Sequence, residues 1–342
     1  MIFLRRIAAL CAAALLAACA HADAPRHTYP RFSPLARGEI SFRRAANGAQ
    51  YPTYRAHRAQ TCAPAPQGDL RQRLVDLAVQ EWARFGYPLS QRASASELRH
   101  VFPELPHTNA RPYTERDPVM LQAVGGYWAA LSGVRSGRVA NTGRYEIRNA
   151  NALWRRHARE HRANPGWSTP WSAAFISWLM CEAGAENFRR SWAHRDYVDA
   201  AIAASDERAA HRYLAHETDR LPTIGDLLCS GRADYRPNGL AARRDNRDEA
   251  QMHCDLVVAI DGPTGLALAI GGNVDNAVSL VPYRLTFIGG AWRVRSVCHG
   301  EKLCSDERLF AVLALDAPAS DAALMRAPHL TARPEQPPPR FR

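Results

Sequence analysis

Lysine is almost missing from this 342-residue chain: of 44 basic residues only Lys302 is a lysine, and the rest are arginine. With alanine abundant as well, that skew fits a GC-rich coding sequence better than selection for phosphate contacts. The formal charge of +11 therefore does not by itself indicate a nucleic-acid binder. The arginines are scattered over the whole chain, and no zinc-finger, RRM or helix-turn-helix pattern occurs, so no nucleic-acid partner is expected. No CxxC pair is present, which argues against a zinc ribbon. No internal repeat is visible, and no apolar stretch after the N-terminal segment is long enough to cross a bilayer. Hydrophobic residues at 46% and charged residues at 23% exclude wholesale disorder, collagen and a coiled-coil rod. The length allows two ordinary domains, or one domain with extensions.

What is present begins with the compartment. Residues 1–19 (MIFLRRIAALCAAALLAAC) have a basic start at Arg5 and Arg6, an apolar run from Ile7 to Ala18, and then Cys19. The run is too short to span a membrane and suits a signal-peptide core. Its end, Leu16-Ala17-Ala18-Cys19, resembles the bacterial lipobox, in which the cysteine is lipidated and becomes the mature N-terminus. Ordinary cleavage near Ala22 is the plainer alternative. The expectation is an exported lipoprotein held at the membrane by Cys19, periplasm-facing and on the outer membrane. In an oxidising compartment the six later cysteines form an even set. Cys298 and Cys304 bracket a short polar loop and make the easiest pair. Cys229 and Cys254 lie on predicted strands and could bridge them, which leaves Cys62 with Cys181.

Residues 20–66 are rich in Arg, Pro and Ala without periodicity and read as a tether. Residues 67–165 read as a helical part. Asp69 opens a helix with an apolar stripe at Leu70, Leu74, Leu77, Ala78 and Trp82, and a second helix runs from Pro118 to Leu131. Residues 166–316 form the core of the domain. There Thr169 is the expected N-cap and Pro170 the first residue of a helix that stops at Gly184, and HRDYVDAAIAASD makes another. From Ile224 onward short apolar segments alternate with turn residues and read as antiparallel strands. Helices first and strands afterwards predict an α+β fold. The tail, 317–342, is read as Pro-rich and disordered.

One constellation carries chemistry. Pro170-Trp171-Ser172-Ala173-Ala174-Phe175 with Trp178 opens the strongest helix, Gly225-Asp226 begins a strand, His253 precedes the longest apolar strand, and Gly271-Gly272-Asn273 ends the next. This layout resembles the papain-like cell-wall amidases and peptidases of the NlpC and CHAP groups. More closely, about residues 67–316 look like the bacterial domain-of-unknown-function family numbered 2272. The resemblance implies a papain-like domain, with N-terminal helices packed on an antiparallel sheet. It also implies a nucleophile at Ser172, a general base at His253 and an orienting residue at Asn273, with no cofactor. Trp167, Trp171 and Asp255 are candidate substrate-binding residues, the two tryptophans as groove walls for a glycan or peptide stem. Asp255 also shares a strand face with His253 and is a rival orienter.

The physical case for the layout is that a helix N-terminus presents unpaired N–H groups and partial positive charge to a developing anion. A histidine on the adjoining strand takes the nucleophile's proton. The departure is that serine stands where those groups carry cysteine. A thiol beside histidine can rest ionised, whereas a hydroxyl ionises only during attack and depends on an accurately placed base. Three readings follow. The first is an amide hydrolase acting on peptidoglycan or peptides. The second is a non-catalytic cell-wall-binding protein on the same fold. The third is a metal-dependent hydrolase using His157 and His161 of the H-x-x-E-H sequence, a pattern set here in an Arg-studded segment close to Asn-Pro-Gly.

Overall fold

The computed structural model describes residues 37–57, 62, 68–90, 94–135, 141–245, 250–296 and 308–331. The predicted lipobox with Cys19 and the predicted Cys298–Cys304 pair lie outside these residues. Within them the chain is α+β, with helices followed by antiparallel strands.

Part of the predicted tether is folded. Strands β1 (Gly38–Arg44) and β2 (Gln50–Ala56) form an antiparallel hairpin. Its anchor is Tyr54, 1% exposed, whose ring lies where a Cβ on Gly125 would come within 2.6 Å. The side chain of Asn151 brackets the Tyr54 backbone, accepting from its N–H and donating to its C=O, both at 2.9 Å. The two strands carry few apolar residues among polar and charged ones, so their alternation is a weak signal in the sequence.

Helix α1 (Leu70–Arg84) starts as predicted, with the Asp69 carboxylate accepting from the N–H groups of Arg71 and Gln72. A short α2 (Ala95–Val101) precedes α3 (Met120–Ala129), in which every residue but Gln122 is buried. Helix α4 (Thr142–Arg159) lies within the part expected to be helical, in a stretch rich in arginine and asparagine where no individual helix is expected. Ile147, Ala150, Trp154 and Ala158 fall on one buried face, and the charged residues cover the other. Helices α5 (Ser172–Glu182), α6 (His194–Ser205) and α7 (Gly239–Asp245) follow.

Seven strands make one curled antiparallel sheet: β3 (Tyr213–His216), β4 (Leu227–Gly231), β5 (Met252–Asp261), β6 (Leu266–Val274), β7 (Ala277–Ile288), β8 (Ala291–Ser296) and β9 (Arg308–Leu315). Their order is β3-β9-β4-β5-β6-β7-β8, so the last strand in sequence is inserted between the first two. The curl brings Val294 of β8 back to the end of β3, where its N–H donates to the Thr218 carbonyl at 3.2 Å. One sheet face packs on α5. The other encloses a second apolar cluster that includes Leu228, Val257, Ala269, Tyr283 and Val312. Burial on both faces explains why residues 256–260 of β5 read as an unbroken apolar run. Cys229 and Cys254 sit directly opposite each other on β4 and β5 and are disulfide-bonded, as are Cys62 and Cys181.

Part of the tail expected to be disordered is folded. A 3-10 turn at Leu324–Arg326 and a short helix α8 (Pro328–Thr331) lie against α1, burying Leu324 and Ala327. The Gln72 side chain ties this segment down by accepting from the Ala323 N–H and donating to the Ala323 carbonyl.

Candidate active site

Ser172 is the first residue of α5, two residues later than the predicted start at Pro170. The helix begins after Trp171, which makes no side-chain cap, because the Thr169 hydroxyl is engaged instead by Glu146 at 2.8 Å. The first intrahelical bond runs from the Phe175 N–H to the Trp171 carbonyl, so the N–H groups of Ser172, Ala173 and Ala174 have no acceptor within the helix. The Ser172 side chain is not spent on its own backbone. Its Oγ lies 2.7 Å from Nε2 of His194.

His194 opens α6 and is 5% exposed. Its Nδ1 is hydrogen-bonded to the hydroxyl of Tyr197, one turn further along the same helix. Burial, reinforced by His253 and Arg232, holds the His194 imidazole well below the usual histidine range. Burial also raises the Tyr197 phenol well above its ordinary value, so that it stays a neutral hydroxyl. A neutral imidazole carries one N–H. With that proton on Nδ1 and donated to Tyr197, Nε2 is left to accept from the serine hydroxyl, which is the relation of nucleophile to base.

A second pair stands beside the first. His253, 1% exposed on β5, donates from Nε2 to Oδ1 of Asp255 at 2.6 Å, and Asp255 Oδ2 accepts from the Tyr283 hydroxyl at 2.6 Å. Two residues apart on one strand, His253 and Asp255 face the same way, while Cys254 between them faces its disulfide partner. Burial raises the Asp255 carboxyl, but the charge and hydrogen bond of His253, with Tyr283 and Arg232, outweigh it and leave the group below the ordinary carboxylate range. The His194 and His253 rings are 5.2 Å apart, centre to centre. Nδ1 of His253 is buried without a hydrogen-bond partner among the described residues.

The glycines before Asn273 make this geometry possible. A Cβ at Gly271 would lie 1.8 Å from Asp255 Oδ1, and one at Gly272 would lie 2.6 Å from the Cβ of Phe175. The first leaves room for the carboxylate, and the second lets β6 approach α5.

The expected arrangement of Ser172, His253 and Asn273 is therefore revised. Ser172 and His253 belong to one buried cluster, but the serine pairs with His194, and the partner of His253 is Asp255. Asn273 sits in the irregular stretch between Gly271 and Val274 at φ 57, a left-handed conformation that asparagine tolerates well. Trp171 and Trp167 are core residues rather than groove walls. Trp171 is fully buried, stacks on Phe85 at 6.0 Å and donates its indole N–H to Glu115, while Trp167 meets the edge of Trp154 at 5.2 Å. Asp226 is a strut: its carboxylate accepts from the N–H groups of Thr223 and Leu315 at 2.8 and 2.9 Å.

His157 and His161 do not face one way. Helix α4 ends at Arg159, His161 has turned to φ 53, and the two rings meet Ala163 and Asn47 respectively. The approach of Asn164-Pro165-Gly166 ends the helix before the second histidine can complete the i, i+4 pair. No group of three His, Cys, Asp or Glu among the described residues is arranged to hold a metal ion.

His194 and Tyr197 were not foreseen. Their signal in the sequence was a histidine at a helix start with a tyrosine three residues on, which is common and points nowhere until α6 is placed against α5.

No curated protein and no solved structure matches the chain. A family described as uncharacterized proteins conserved in bacteria matches residues 115–315, a span that begins at Glu115, beneath the indole of Trp171, and closes with β9. The chain belongs to that bacterial family, DUF2272.

Proposed function

We propose that this protein is a serine-dependent hydrolase of amide bonds, acting on peptidoglycan or a related peptide in the cell envelope. The observation that carries this reading is the 2.7 Å contact of Ser172 Oγ with Nε2 of His194 at the open end of a buried helix. Oγ attacks the carbonyl carbon as its proton passes to Nε2 of His194. The resulting oxyanion is stabilised by the N–H groups of Ser172 and Ala173 at the helix terminus. Collapse breaks the C–N bond, the proton moves to the departing nitrogen, and water then hydrolyses the acyl-serine. Nδ1 of His253, the ring nitrogen that Asp255 does not hold, is the group left for the substrate. The packing of the serine-bearing helix on the histidine-bearing sheet, together with the order PWSAAF, GD, His253, GGN, supports a papain-like ancestry.

The test is labelling with a fluorophosphonate probe followed by digestion of purified peptidoglycan. Labelling should be lost in Ser172→Ala and slowed by about 10²–10⁴ in His194→Ala. Folded wild-type protein that takes no label under any condition sinks the hydrolase. A second reading, binding without chemistry, is favoured by the low exposure of Ser172, 7%. It wins if the protein sediments with peptidoglycan and releases nothing.

The N-terminal segment and the two disulfides support export and a lipid anchor at Cys19 on the outer membrane. Metabolic labelling with a fatty acid should mark the wild type and not Cys19→Ala.

A further inference from the structure

The hairpin of β7 and β8 ends in a surface that the Ser172 site does not use. Phe287 pairs with Trp292 and Ile288 with Ala291, and Gly289-Gly290 alone close the turn, both left-handed at φ 61 and 79. A two-residue turn leaves the flanking side chains at the very end of the hairpin. Phe287 is 62% exposed and Ile288 is 55% exposed, and the Phe287 ring meets Trp292 edge-on at 5.3 Å.

Strand alternation sorts the rest of the hairpin. Tyr283, Leu285 and Val294 share the Phe287 face and fill the cluster inside the curled sheet. On the opposite face Arg284 lies across from Arg295, and Thr286 across from Arg293. Residues 284–295 carry these three arginines and no acidic residue. An apolar tip in water forgoes the hydrophobic term, and a bilayer restores it. Aromatic and branched side chains settle at the headgroup boundary, and arginines beside them meet lipid phosphates.

We propose that this tip docks the protein peripherally on an anionic phospholipid surface, inserting Phe287 and Ile288 with Trp292 behind them and Arg293 and Arg295 at headgroup level. The proposal is independent of the hydrolase reading and stands or falls without it.

Hydrogen exchange of the full-length protein, resolved by peptide, tests it. Vesicles of phosphatidylethanolamine with phosphatidylglycerol should slow exchange of the amides in 286–293, and phosphatidylcholine vesicles should not. That protection should disappear at high salt and in the Phe287→Ser/Ile288→Ser double variant. Arg293→Gln/Arg295→Gln, which leaves the apolar tip intact, should lose the preference for anionic lipid, and unchanged exchange elsewhere shows that either variant is folded. Exchange in this hairpin that ignores anionic vesicles overturns the proposal. Protection that grows with protein concentration in the absence of lipid assigns the tip to a second copy of the chain and overturns it equally.

Discussion

Ser172 and His194 meet because two helices begin at the same place, each offering its first residue to the other. The pairing fixes how the protein responds to pH. The folded pKa of His194 is depressed well below its ordinary value of 6.5, so below that value the unfolded chain binds a proton that the native state refuses. The stability present above pH 6.5 is therefore lost as pH falls, by at most about 1.4 kcal/mol per pH unit from this residue. Melting temperature followed from pH 7 downward should fall more steeply in the wild type than in His194→Gln; parallel curves would show that the imidazole is not held neutral. Ser172→Ala leaves Nε2 of His194 buried without its partner and should cost about 1–3 kcal/mol in chemical denaturation. Ser172→Cys should instead react with iodoacetamide at neutral pH, since a thiol beside the neutral imidazole and a helix N-terminus ionises more readily than a free one. At this scale the sequence shows His253 and Asp255 as partners, because alternation on a strand is a local rule. It does not show His194, because that contact depends on how two helices pack.

The element that positions the second pair is the end of β6. Gly271 and Gly272 face opposite sides of it, one toward Asp255 and the other toward Phe175 of α5. In the sequence they read as a weak turn signal. In the fold, each is small because a neighbouring group occupies the space of its Cβ. Gly271→Ala should drive the Asp255 carboxylate away from His253 and slow probe labelling of Ser172 out of proportion to the loss in melting temperature. Gly272→Ala has no flexible neighbour to displace, since the obstacle is the Cβ of Phe175 on a buried helix. It should destabilise by separating sheet and helix, at the upper end of the about 1–3 kcal/mol range for overpacked cores. Equal effects of the two substitutions on labelling and on stability would refute this division of roles. The helices with clear apolar stripes were legible in the sequence for the same reason that α4 was not. Its four buried apolar residues, Ile147, Ala150, Trp154 and Ala158, are spread over a segment otherwise dense in arginine and asparagine, so composition outweighs periodicity.

Across the whole molecule, the chain before α1 is joined to the site from the far end of the nucleophile helix. Cys62 is bonded to Cys181, and Arg37 is ion-paired with Glu182, at the last two residues of α5. The region expected to be a loose tether thus braces the helix whose first residue is Ser172. The two bridges close loops of very different size, with sequence separations of 119 for Cys62–Cys181 and 25 for Cys229–Cys254. Restriction of the unfolded chain gives about 5 kcal/mol for the first and about 3–4 kcal/mol for the second. The shorter bridge joins strands whose register is also held by backbone pairing on both sides of it, whereas the longer one joins two residues that no strand pairing brings together. Cys62→Ala/Cys181→Ala should therefore lower the melting temperature more than Cys229→Ala/Cys254→Ala, by on the order of 10 °C from the wild type. It should also be the variant in which reductant produces the smaller further loss. If both double variants melt with the wild type, the disulfides do not hold this fold, and the N-terminal hairpin is retained by its other contacts, among them Tyr54 against Gly125 and Asn151, the Arg37–Glu182 ion pair and the Asn47 bonds to the end of α4.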